Sequence, residues 1–334
     1  MQGACFKAVF VGILIFLICI INHMPIKAFN IIGDNKDFAI IEIEGSAFDS
    51  GSPEPGGPPD RQGKPNNPTQ AYSHGNPSSE EQLVLELINA TRSDPQAAAA
   101  NHGIDLNEDL PPGTISNSPK QPLAFNPKLI AAARDHSQWM FDAQTFSHTG
   151  QGGSSSEDRI QDAGYELTGS WVQGENLGTS GTSAPFDVLS HLHLIIDDLF
   201  LSPDHRVVTL TENFNEIGVG SLTGSFQGVN TLMVTQKFAT SAFTPKSFLV
   251  GVVYEDSNGN DRYDIGEGLQ GITITPDRGS WYSETSESGG FAIPLPDSSG
   301  ILSVTASSQK LSQSVTKEIN MTGENVKLDF VISE

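Results

Sequence analysis

Cysteine is almost missing. The chain has two, Cys5 and Cys19, in 334 residues, and both fall within the first 28. Positive charge is scarce as well: 18 lysines and arginines face 40 acids, for a net charge of −22. Such a chain repels nucleic acid and anionic membrane surfaces, and it attracts divalent cations. The longest apolar run, Ala8 to Ile21, is short for a bilayer span. With Lys7 before it and a polar exit ending at Ala28, it reads as a secretory signal peptide over 1–28, cleaved near Phe29. Removing Lys7 and Lys27 with that segment takes the charge from −22 to −24. The mature chain then has no cysteine, so a core, bound metal or both must hold it together outside the cell. Membrane contact is expected only through an uncleaved signal segment.

The remaining length suits about two domains. Residues 29–78 read as a spacer, disordered from about 45 onward, where Gly, Pro, Ser and Asn dominate. Within it, DFAIIEIEG is a candidate strand. EEQLVLELINATR follows as a helix with Leu83, Val84, Leu87, Ile88 and Thr91 on one face. Ser79 and Gln82 have capping-box spacing, and Asp94-Pro95 is the stop. A long loop to about 121 is expected next. In LAFNPKLIAAARDHSQWMFDAQ, Asn126 caps and Pro127 takes the first helical position. His136 shares the packing stripe of Leu129, Ala133 and Met140, and reads as a hydrogen-bonded core histidine. Shorter helices are expected over 157–163 and 186–201, then strands in EIGVGSL and TLMVTQKFA. Beyond Pro245 the pattern is all strand and turn. The expected fold class is α+β, with an α+β domain over 79–243 and a small β-sandwich over 246–334.

Three polar motifs punctuate the first domain: FSHTG, QGENLG and SPDHR. Each is expected in a loop, where His148, Glu175 and His205 can converge on a site. Two imidazoles and a carboxylate suit Zn²⁺ or another divalent metal. The order LELINATRSDPQ, LAFNPKLIAAARDHSQWM, FSHTG, GENLG, SPDHR and FNEIGVG resembles the CAP superfamily, also called the SCP domain, most of all its bacterial branch. The resemblance covers most of 80–240. It implies an α-β-α sandwich with a surface cleft of two histidines and two acids, matched here by His148, Glu175 and His205. The second acid would fall near Ser202, with Asp204 or Asp198 as substitutes, and Leu199 stands where most of that branch has Trp.

YEDSNGNDRYDIGEGLQG carries a separate signal. Counting from Asp256, side-chain oxygens occupy positions 1, 3, 5, 9 and 12, namely Asp256, Asn258, Asn260, Asp264 and Glu267. Arg262 at position 7 offers its carbonyl. This is the ligand order of an EF-hand-type Ca²⁺ loop, with Asp261 at the position usually held by Gly. Its flanks are strands, and the segment resembles the calcium-bearing B-type repeat domains of bacterial surface adhesins. The function expected is a secreted or cell-surface binding and scaffold protein, its partners divalent cations and a lipid or cell-envelope ligand. The alternatives are a metal-assisted hydrolase with Glu175 as base and a purely structural envelope protein. A serine mechanism through Ser147 lacks an orienting acid.

Overall fold

The computed structural model describes residues 39–44, 68–242, 244–296 and 299–332. The expected signal peptide and its cleavage point lie outside the described residues. Two strands stand within the segment read as a spacer, β1 (Ala39–Glu44) and β2 (Gln70–Tyr72). The first matches the strand expected there.

Helix α1 (Ser79–Ser93) starts one residue earlier than its sequence signal. Ser78 Oγ accepts from the Glu81 amide at 3.2 Å, and Glu81 returns a carboxylate to the Ser78 amide at 2.8 Å. Ser79 and Gln82 have the same spacing, but Gln82 instead donates to Glu86 at 2.8 Å. Asp94-Pro95 both ends α1 and opens α2 (Pro95–Asn101), because the Asp94 side chain caps the Ala97 amide at 3.0 Å. The loop expected to run to 121 therefore begins with a helix. After β3 (Ala124–Phe125), helix α3 (Pro127–Ala143) has the expected Asn126 cap and Pro127 start. Then come α4 (Ser156–Asp162), β4 (Trp171–Thr182), α5 (Val188–Leu201), α6 (Pro203–Leu210), β5 (Glu216–Phe226) and β6 (Val229–Ser241).

The first sheet has the order β1-β4-β6-β5-β3, with β3 parallel to β5 and the other pairs antiparallel. Side chains alternate across it. Leu232, Val234 and Phe238 of β6 enter the cluster with Leu83 and Ile88 of α1, Leu192 and Ile195 of α5 and Val208 of α6. Met233 and Ala239 enter the clusters of the other face, with Met140 and Leu129 of α3 and Ile160 of α4. The result is an α-β-α sandwich. Gly218 and Gly220 let α3 lie directly on β5. A Cβ at Gly218 would sit 2.0 Å from the Leu129 carbonyl carbon, and one at Gly220 2.4 Å from that of Ala133.

The β-rich region packs two sheets. β7 (Phe248–Tyr254) pairs with β10 (Gly290–Pro294), β13 (Val326–Lys327) and β14 (Phe330–Val331). The second sheet runs β12 (Val315–Met321), β11 (Gly300–Ser307), β8 (Thr273–Pro276), β9 (Trp281–Glu284) and β2. Leu249, Val253, Ile274, Phe291, Leu302, Val304 and Phe330 fill the space between. β2 thus leaves the N-terminal segment to edge a C-terminal sheet, with Tyr72 against Phe248 and Trp281.

The two regions share buried contacts. Tyr254 and Tyr263 join the core cluster that holds Leu83 and Val84 of α1. Asn325 donates to the carbonyls of Pro122 (2.8 Å) and Asn215 (2.7 Å). Lys327 pairs with Glu86 of α1 at 2.8 Å.

Candidate functional site

Only FSHTG among the three motifs lies in a loop, immediately after α3. QGENLG lies inside β4, and SPDHR opens α6 with Pro203 at its first position. The α6 start corrects the expectation that Ser202-Pro203 leads into a loop. Pro needs no amide partner there and its fixed φ suits a helix start, so it begins one helix as it ends another.

His148 and Glu175 are brought together: His148 Nδ1 lies 2.6 Å from Glu175 Oε1. Glu175 is fully buried, and it is met by two cations that the sequence reading did not include. Arg159 of α4 donates through Nη2 to both carboxylate oxygens at 3.0 and 2.9 Å, and buried Lys237 of β6 forms a second ion pair. Burial alone would raise the Glu175 pKa. Lys237, the His148 hydrogen bond and Arg159 together outweigh it and hold the carboxyl well below its ordinary range. Arg159 also ties the loop down, donating to the carbonyls of Ser154 (2.8 Å) and His148 (2.9 Å).

His205 is buried on α6, with Nδ1 2.8 Å from Ser202 Oγ. Its carbonyl accepts from Asn176 Nδ2 at 3.4 Å, and Asn176 also donates to Thr209 of α6. Neighbours on a strand point to opposite faces, so Glu175 serves the α3–α4 side while Asn176 serves α6. Among the described residues, no group of three or more His, Cys, Asp or Glu side chains is gathered to hold a metal ion. As they stand, the residues around Glu175 do not fit a zinc ion, since Arg159 and Lys237 already take its charge. Of the substitute acids, Asp204 has its pKa raised by burial. Asp197, beside Asp198, pairs with His102 Nε2 at 3.1 Å. Ser147 Oγ accepts from the Thr149 amide at 3.0 Å, and the Ser147 carbonyl lies 3.0 Å from His136 Nε2.

A cleft of about 390 Å³ opens between α3 and α4 beside this network, lined by His136, Trp139, Gln151 and Arg159 among others. His136 is the buried histidine expected on α3, but only half of its ring is bonded. Nδ1 has no hydrogen-bond partner among the described residues, nor has Nε of Arg159.

In the loop after β7, Asp261 takes the left-handed conformation (φ 59°) at the position usually held by Gly. An aspartate tolerates it better than most residues. Asp256 accepts from the amides of Gly259, Asn260 and Asp261. Asp264 Oδ2 accepts from the side-chain amides of Asn258 and Asn260, both at 2.7 Å. Glu267 folds back to the amides of Ser257 (3.0 Å) and Asp264 (2.9 Å), while Arg262 donates its own amide to Asn260 Oδ1 at 2.8 Å. The acids named in the sequence pattern therefore share one turn. Rotating the two Asn amides would offer Oδ1 in place of Nδ2, completing an all-oxygen set of the kind Ca²⁺ takes.

Residues 85–238 match the model of the cysteine-rich secretory protein family, CAP. The chain carries a CAP domain. A comparison with curated proteins returned no match. Among solved structures, the chain is similar to an extracellular SCP-domain protein from Bacillus anthracis str. Ames. The identity is 21%, the TM-score 0.31, and the match covers 48% of this chain and 39% of that one. An outer surface protein from Borrelia burgdorferi matches at 11% identity and TM-score 0.30, over 48% of this chain and 94% of that one. NaASP2 with Zn²⁺ matches at 16% identity and TM-score 0.31, over 51% and 83%. The match thus spans about two fifths of the length of the first of these. No helix among the described residues is long and apolar enough to cross a membrane.

Proposed function

We propose that the protein is an exported, extracellular binding and scaffold protein without turnover, built from a CAP domain and a calcium-stabilised β module of the B-repeat kind. The observation that carries the first half is the state of Glu175. A general base must offer a free lone pair and a pKa near the working pH. Glu175 is sealed from solvent, shared by Arg159, Lys237 and His148, and strongly acidic. That arrangement makes a rigid buried node joining the FSHTG loop, α4, β4 and β6. It makes a poor catalyst, and it disfavours the metal-assisted hydrolase reading. The test is a screen of the purified mature chain against ester, amide and glycoside substrates, alongside Glu175→Gln. No turnover is expected. Turnover of any substrate by the wild-type chain would overturn the reading, and folded Glu175→Gln then tells whether this carboxylate carries it.

The second half rests on the turn built by Asp256, Asn258, Asn260, Asp264 and Glu267, with Arg262 supplying its carbonyl. Calcium there would tie down a loop whose Tyr263 is already seated against α1. Titrating the mature chain with ⁴⁵Ca²⁺ tests it. Binding of one ion that is lost in Glu267→Ala is expected; no binding at millimolar calcium would remove calcium from the proposal.

A further inference from the structure

The cleft between α3 and α4 has the size of a small-molecule site, at about 390 Å³. Two polar atoms of its lining residues have no partner among the described residues. The carbonyl of Ser147 can only accept, so His136 Nε2, 3.0 Å away, carries the proton. Nδ1 is then a bare acceptor with no partner among the described residues. Burial, the largest influence, lowers the His136 pKa to about 3, which keeps the ring neutral at physiological pH. Arg159 spends Nη1 and Nη2 on Ser154, His148 and Glu175, and its Nε–H is left as an unmatched donor. Both atoms have almost no exposed surface, so they lie behind the cleft wall rather than on it.

Trp139 stacks on the His136 ring with centroids 5.5 Å apart and planes within 7°. The imidazole beneath it is almost fully buried, whereas the indole is only partly covered. It therefore gives the cleft an apolar wall. Asp135 and Asp162 are exposed at the rim beside Gln151 and Ser154. The acids repel an anionic ligand, and the positive charge of the Arg159 guanidinium in the lining does not suit a cation. A hydroxyl group both donates and accepts, so it suits the carboxylates and the amide at the rim. A ring that carries hydroxyls at its edge and C–H groups on its face matches wall and rim at once.

We propose that this cleft binds a neutral glycan, with a sugar ring against Trp139 and its hydroxyls on Asp135 and Asp162. The inference rests on reading the protein as a binder without turnover, and the experiment separates the two. The full mature chain is applied to an array of neutral glucose-, galactose-, mannose- and N-acetylglucosamine-based glycans, with sulfated and sialylated glycans beside them. Retention of a neutral glycan is expected, and its affinity, measured by calorimetry, should fall at least tenfold in Trp139→Ala and in Asp135→Ala. Asp135 lies at the exposed rim, so its variant decides the matter should Trp139→Ala fold poorly. The proposal is overturned if no neutral glycan is retained, if only charged glycans bind, or if Asp135→Ala leaves the affinity unchanged. Mass spectrometry of the recovered glycan tests the other reading. Cleaved glycan would refute the absence of turnover while leaving the binding site in place.

Discussion

Replacing Glu175 by Gln removes one charge from the centre of the CAP domain and leaves two cations facing a neutral amide. Glu175 and Lys237 are wholly buried and Arg159 is nearly so, so water screens little of the loss. Breaking a buried ion pair by deleting one partner costs about 3–5 kcal/mol. In a domain of this size that corresponds to a fall in Tm of about 6–20 °C. Removing the stranded ammonium as well, in Glu175→Gln/Lys237→Met, should recover part of the loss, because the cost lies in an unpaired buried charge more than in a missing attraction. The pH profile gives an independent check. Glu175 is more acidic in the folded chain than an unfolded glutamate, whose pKa is about 4.3. Its contribution is therefore fully present above about pH 4.3 and is lost as pH falls toward the folded pKa. Urea unfolding of the wild type and both variants between pH 7 and 3 measures these quantities. Destabilisation under about 1 kcal/mol, or a limb below pH 4.3 that is equally steep in Glu175→Gln, would refute the electrostatic account of this node.

A second acid-sensitive window is expected at higher pH. His74 and His136 are buried, and burial lowers their pKa values to about 4 and about 3. Below about pH 6.5 the unfolded chain takes up protons that the folded chain refuses, so each histidine costs up to about 1.4 kcal/mol per pH unit. His74→Leu should flatten that slope between pH 6.5 and 4, measured by the same urea series. Calcium at ten times its dissociation constant, about 10⁻³ to 10⁻² M total, should add about 1.4 kcal/mol to the mature chain. Calorimetry should show the gain in one cooperative transition, and Glu267→Ala should abolish it. Gly218→Ala and Gly220→Ala push a methyl into the backbone of α3; each should cost about 1–3 kcal/mol or more, read as a lower Tm.

The helices were legible in the sequence wherever a stripe and a cap agreed. Asn126-Pro127 fixed the start of α3, and α5 (Val188–Leu201) fills most of the span 186–201 expected for it. Adjacent serines with equivalent spacings made the α1 cap ambiguous, and only geometry separates Ser78 from Ser79. α2 went unseen because Asp94-Pro95 is both a stop and a start. β9 and β12 have fewer apolar residues, and β2 is three residues long with its partner more than two hundred positions away. At the site, His148 and Glu175 stood out because a motif framed each. Arg159 and Lys237 did not, since a basic residue on a short helix or in a strand looks like a solvated charge until tertiary structure buries it. The carboxylate was visible in the sequence; what neutralises it was not.

The same burial bears on how the two regions work together. A flexible tether would leave the β module free to carry its acidic loop away from the CAP domain. Here the loop's own Tyr263 lies in one cluster with Leu83 and Val84 of α1, and Ile265 packs against it. Glu86 on that helix reaches Lys327 of β13. Burial would lower the lysine's pKa, yet Glu86 and Asp329 outweigh it and raise it, which keeps the lysine charged across the physiological range. Asn325 reinforces the junction through the carbonyls of Pro122 and Asn215. An ion bound there, as proposed, would bear on α1 through Tyr263, and α1 is also a wall of the CAP core. Glu81 on the same helix pairs with Arg134 of α3, the helix that presents His136 and Trp139 to the cleft. Packing thus runs from the acidic loop through Tyr263 to α1, and the pair of buried Glu81 with partly exposed Arg134 carries it on to α3, the helix that lines the cleft.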